Sequence, residues 1–75
     1  MPIKRSHPLL RTVGARLRKA RRAKGISQEQ LAFAADLDRS FVSGLERGEF
    51  NVILLVLAKL ARVLGVKLGS LIGDD

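Results

Sequence analysis

Residues 27–48 read SQEQLAFAADLDRSFVSGLERG, and the spacing inside that stretch decides the fold. Leu31, Ala32 and Ala35 recur at helical spacing, and so do Phe41, Val42 and Leu45. Ser27, with Gln30 three residues later, makes a capping box that opens the first of these two helices. The first helix ends near Asp36, which tolerates the left-handed conformation of a tight turn. Asp38 is a good N-cap for a second helix over about Arg39–Arg47, and Gly48 stops it. Two short helices with roughly three residues between them must cross steeply. The crossing needs a small side chain at the contact, which Ala32 supplies. Val42 serves as the apolar lock, and Leu37 plugs the turn.

The same spacing extends outward in both directions. Leu10, Val13, Leu17 and Ala20 mark a helix over 9–24 with Gly25 as its stop. After a loop at 49–51, a fourth helix covers about 53–64 and ends at Gly65. A short fifth helix covers about 67–72. Asn51 is the expected cap of the fourth helix. No segment asks for a strand, so the fold class is all-α: five helices in one domain, 9–75. Residues 1–8, with Pro2 and Pro8 and no periodicity, read as a flexible N-terminal arm. A chain of 75 residues buries little surface and often gains stability from a partner subunit.

The net charge of +7 is unevenly spread. Residues 1–24 hold nine bases and no acid, whereas residues 25–75 hold five bases against seven acids. A basic field of that density attracts phosphates or an anionic membrane surface. The basic first helix has only a narrow apolar stripe, which the core needs, and this argues against the membrane. No apolar run approaches the roughly 20 residues of a membrane span, and no signal peptide is legible. The expected location is the cytoplasm, with the nucleoid. With no cysteine and the single histidine His7, which reads as simply solvated, no metal site or cofactor is expected. The carboxylates are scattered among caps and ion pairs, and no glycine-rich loop follows a strand, so no enzyme is expected.

The stretch GISQEQLAFAADLDRSFVSGLERGE resembles the Cro/cI-like, XRE-type helix-turn-helix family. VGARLRKARRAKG and LAKLARVLGVKLGSL fit that family's first and last helices, so the resemblance covers about residues 12–72. It implies a compact lambda-repressor-like DNA-binding domain whose helix-turn-helix is formed by helices 2 and 3. It further implies a transcriptional regulator of double-stranded DNA. Among small members of this kind, the chain looks most like a restriction–modification controller protein or a small phage-type regulator. The resemblance assigns base contacts to Arg39, Ser40, Ser43 and Gly44 on the recognition helix. Arg39 is the best of these, since its fork matches the O6 and N7 of guanine, with a phosphate contact as its other reading. Gln28, Arg47, Asn51 and Arg16 are implied to contact the DNA backbone. Arg21 and Glu46 are implied to form a partly buried ion pair that orients the recognition helix.

The chain departs from the family in its apolar surplus. Leu54, Leu57, Leu60, Ala61 and Leu64 account for the inward face of the fourth helix. Ile53, Leu55 and Val56 then have no obvious place inside, and Phe33 and Phe50 stand where polar residues are usual. Ile53, Leu55 and Val56 of the fourth helix, joined by Val66, Leu68, Leu71 and Ile72, suggest a homodimer interface, and a homodimer would read a palindromic operator. The alternative is an antitoxin-type DNA-binding protein that also holds a protein partner. A toxin would be that partner, and RNA polymerase would be the partner of an activator.

Overall fold

The computed structural model describes residues 7–73. Five helices follow one another: α1 (Pro8–Lys24), α2 (Gln28–Ala35), α3 (Arg39–Glu46), α4 (Leu54–Leu64) and α5 (Leu68–Ile72). α1 packs against α3 and α5, α2 against α3 and α4, and α4 against α5. Their shared core includes Val13, Leu17, Leu31, Ala32, Ala35, Val42, Leu45, Leu57, Leu60, Ala61, Leu64 and Leu71. The surplus apolar residues divide between this core and the surface, as described below.

α1 begins at Pro8, one residue earlier than the periodicity indicated. Nδ1 of His7 accepts the Leu9 N–H at 3.0 Å. Pro8 sits where a missing N–H costs nothing, because the first helical N–H groups have no partner in the helix. His7 and Pro8, assigned to the arm, are therefore the cap and first residue of a helix. The remaining arm residues, 1–6, lie outside the described residues.

Among the described residues, α1 to α4 all stop in the same way. Each is followed by a residue at positive φ: Gly25 at 77°, Asp36 at 57°, Gly48 at 72° and Gly65 at 70°. The N–H of that residue reaches back three positions, and the next N–H reaches back five. In α2, Asp36 donates to the Phe33 carbonyl at 3.2 Å and Leu37 to the Ala32 carbonyl at 2.8 Å. In α3, Gly48 donates to Leu45 and Glu49 to Gly44, both at 3.0 Å. This pair of bonds satisfies carbonyls that the helix leaves open, and the residue after the stop usually makes an apolar contact. Ile26, Leu37 and Val66 do so, packing on the core. After α3 the corresponding residue is Glu49.

Several expectations are corrected by the packing. Asp38 occupies the N-cap position of α3, but its side chain makes no capping bond. Asn51 does not cap α4; Ile53 stands at that position without a side-chain cap. Leu54, assigned to the inward face, is 59% exposed because the first turn of α4 lies past the edge of the core. Leu71, assigned to a dimer interface, is only 1% exposed and belongs to the core. Val56 and Leu68 are half-buried against the core. Ile53, Leu55 and Ile72 remain on the surface, joined by Leu54. Phe50 packs its ring 5.6 Å from that of Phe41, whereas Phe33 is 87% exposed.

The backbones of α1 and α3 approach closely at Gly14. A Cβ on Gly14 would stand 2.4 Å from the Leu45 carbonyl oxygen and 2.6 Å from that of Glu46. Backbone atoms cannot swing aside as a side chain can. Gly14→Ala is therefore expected to destabilise the fold by about 3 kcal/mol through overpacking. Gly69→Ala, with open space around its site, should be neutral or stabilising by up to about 1 kcal/mol. Chemical unfolding of both variants measures the contrast; equal stabilities would contradict the close approach.

Candidate nucleic-acid interface

The contact at Gly14 sets the distance over which Arg21 works. Arg21 lies seven residues further along α1, about two turns, and so on the same face. Its Nε donates to Glu46 Oε2 at 2.6 Å and its Nη2 to Glu46 Oε1 at 3.1 Å. Its Nη1 donates to the Ile26 carbonyl at 2.9 Å. The side chains are 10% and 2% exposed, so the pair is shielded from water. Gln28 adds a fourth bond, with Nε2 donating to Glu46 Oε1 at 3.1 Å. The bonds join the ends of α1 and α3 to the first residue of α2. No buried side-chain polar atom among the described residues lacks a partner.

This brace leaves one side of α3 facing outward. Arg39, Ser43 and Arg47 follow at four-residue steps along that side, with Ser40 beside them. Arg39 and Ser40 are exposed, and Ser43 is half-buried. Ser43 Oγ accepts a hydrogen bond from Arg47 Nη1. Arg47 also donates to both oxygens of Glu49, through Nε at 2.7 Å and Nη2 at 3.1 Å. The hydrogen bond to Glu49 holds the Arg47 guanidinium above its ordinary pKa, against a smaller opposing effect of desolvation. Arg47 therefore stays charged at any working pH.

At the N-terminal end of α3 the strip opens into a shallow groove of ≈ 410 Å³, lined by Arg18, Arg21, Arg22, Ser27, Gln28, Glu29 and Arg39. Arg18, Arg22 and Arg39 are exposed, and with Arg21 engaged below they border the start of α2. The first N–H groups of a helix carry partial positive charge, so this corner suits an anion. Gln28 Nε2 keeps a second hydrogen for one, beyond the hydrogen it gives Glu46. Arg18 and Arg22 were absent from the sequence-derived set. Their four-residue spacing astride the buried Arg21 was the available signal.

Two assigned residues face elsewhere. Gly44, expected to meet bases, is buried, and a Cβ there would stand 2.1 Å from Cε2 of Phe50. The glycine makes room for that ring and not for a ligand. Arg16, expected on the DNA backbone, lies about 200° around α1 from Gly14, on the side away from α3. Its Nη1 donates to the Ser70 carbonyl at 3.4 Å, tying α1 to α5. Asn51 is exposed and lies beside His7, Leu9 and Leu10 at the far end of α1 from the arginine groove.

Comparisons with known proteins bear on the family and the fold. A helix-turn-helix family model matches residues 17–71. The control protein C.MunI of Mycoplasma sp is 42% identical over 62 residues, covering 81% of this chain and 84% of that protein. The immunity repressor of Bacillus phage phi105 is 34% identical over 64 residues, covering 85% of this chain but only 44% of its own length. The chain thus spans less than half of that repressor. Among solved structures, the restriction-modification controller protein C.AhdI of Aeromonas hydrophila superposes with a TM-score of 0.80 at 52% identity, covering 83% of this chain and 94% of that one.

Truncating one member of a buried ion pair strands the other. Glu46→Ala is expected to cost about 3–5 kcal/mol of stability. The double variant Arg21→Met, Glu46→Leu should cost clearly less than the sum of its two single changes. Strict additivity in urea unfolding would show that the pair is not coupled.

Proposed function

Because the chain belongs to the helix-turn-helix family of DNA-binding transcriptional regulators, we propose that it reads a palindromic duplex operator as a homodimer. The observation that carries the reading is the outward strip of α3, which runs from the arginine groove through Arg39 and Ser40 to Arg47. The helix docks in a major groove, while Gln28, Arg18, Arg22 and the start of α2 hold the adjoining phosphates. Arg39 donates both arms of its fork to a guanine, and Ser40 and Ser43 lend hydroxyls to neighbouring edges. Asn51 meets the backbone beyond the C-terminal end of α3. Phosphate contacts fix the register and base contacts supply the discrimination.

The dimer rests on the apolar surface left uncovered at the start of α4. Ile53, Leu54 and Leu55 are consecutive and exposed, and Ile72 of α5 is also uncovered. A helix-turn-helix dimer on two adjacent half-sites carries its recognition helices about one DNA turn, or roughly 34 Å, apart. No helix of the described residues is long and apolar enough to cross a membrane. The site of action in this reading is the cell's DNA, in the cytoplasm.

Selection of bound duplexes from a random pool tests the reading directly. The expected product is a palindrome with a guanine in each half-site. Arg39→Ala should weaken binding to that product by about 1–3 kcal/mol and relax its sequence preference. An unchanged preference would move Arg39 to the phosphates. Sedimentation at micromolar protein should give a dimer mass for the wild type and a monomer mass for Leu55→Asp. A monomer for both would remove the dimer.

A further inference from the structure

Glu49 breaks the pattern of the helix stops. The residue after the positive-φ position is apolar and core-packed at Ile26, Leu37 and Val66. At the end of α3, the helix that faces outward, that position holds a carboxylate. Gly48, at φ 72°, turns the chain back, and the Glu49 N–H bonds the Gly44 carbonyl at 3.0 Å. The turn sets the Glu49 carboxylate against the Arg47 guanidinium, with two bonds of 2.7 and 3.1 Å. Arg47 in turn bonds the Ser43 hydroxyl on the same strip. Two oxygens on two parallel N–H groups is the geometry a guanidinium also offers a phosphate.

We propose that Glu49 acts as an intramolecular stand-in for a DNA phosphate, occupying Arg47 in the free protein and making its contact with DNA an exchange. The proposal rests on the reading of the α3 strip as the DNA surface. For Arg47 to grip a phosphate with the same two N–H groups it must release Glu49. On random-sequence duplex nothing compensates that exchange, and Arg47 stays on Glu49. On a sequence that gives the strip its base contacts, the exchange goes through and Ser43 is released with it. Glu49 is thus a specificity-determining residue that works by lowering non-specific affinity. The ion pair is partly open to water, with side chains 55% and 28% exposed, so its effect is modest.

Fluorescence anisotropy on random-sequence and selected duplexes tests this with wild type, Glu49→Gln, Glu49→Ala, Arg47→Ala and Arg47→Ala combined with Glu49→Gln. The backbone bonds of the stop do not use the Glu49 side chain, so both Glu49 variants should fold, as thermal melts will show. The expected result is about two- to fivefold tighter binding of random duplex by both Glu49 variants. The slope of log affinity against log salt should steepen by about 0.9, the value of one added phosphate contact. The gain on the selected duplex should be smaller, and the combined variant should bind like Arg47→Ala alone. Equal tightening by Glu49→Gln with and without Arg47 would reduce the effect to general charge removal and overturn the proposal. Binding by the wild type with no gain in the Glu49 variants overturns the stand-in and leaves the DNA reading in place. No duplex binding by the wild type overturns both.

Discussion

The site depends on one buried ion pair. Taking Arg21 and Glu46 out of water costs free energy that only complete hydrogen bonding offsets. Here the offset comes from three helices at once: both Glu46 oxygens are used, and three nitrogens of Arg21 have partners. A group that must be satisfied by all three helices tolerates few relative placements of them. The outward angle of α3 and the position of the groove beside α2 follow from that restriction. Gly14 contributes by letting the α1 and α3 backbones come close enough for Arg21 to span the gap.

The dense positive charge of the first helix resolves into separate tasks once its neighbours are known. Arg21 is spent internally on Glu46. Arg16 fastens α5 through Ser70. Arg18 and Arg22 remain for the groove at the start of α2. The field of a basic helix is shared by all four, but the local chemistry differs because successive residues face successive neighbours. Net charge predicts attraction to phosphates and says nothing about which arginine meets them.

What was legible in the sequence was what local chemistry determines. The apolar spacing, the Ser27–Gln30 box and the glycines at 25, 48 and 65 gave the helices to within a residue or so. Asp36 was recognised as compatible with a left-handed stop. What was not legible depended on partners distant in the chain. Gly44 has the outward look of a residue between Ser43 and Leu45, yet Phe50 folds back over it. Leu71 looks like surplus until α1 and α4 are placed around it. Asp38 and Asn51 are good caps by type, but neither side chain makes a capping bond to the helix it precedes. Gly14 carried no special signal, since a glycine inside a helical pattern reads as a weak helix former until the facing backbone is known.

The repeated helix stop also bears on how quickly such a chain can organise itself. Each of α1 to α4 is ended by bonds that reach back only three and five residues. Stops of that kind form and break with the helix itself and need no distant segment in place. Topologies dominated by local contacts fold in microseconds to milliseconds. Non-local steps remain, foremost the meeting of Arg21 with Glu46, 25 residues apart. The outward placement of α3 is complete only once these two residues, far apart in the chain, have met.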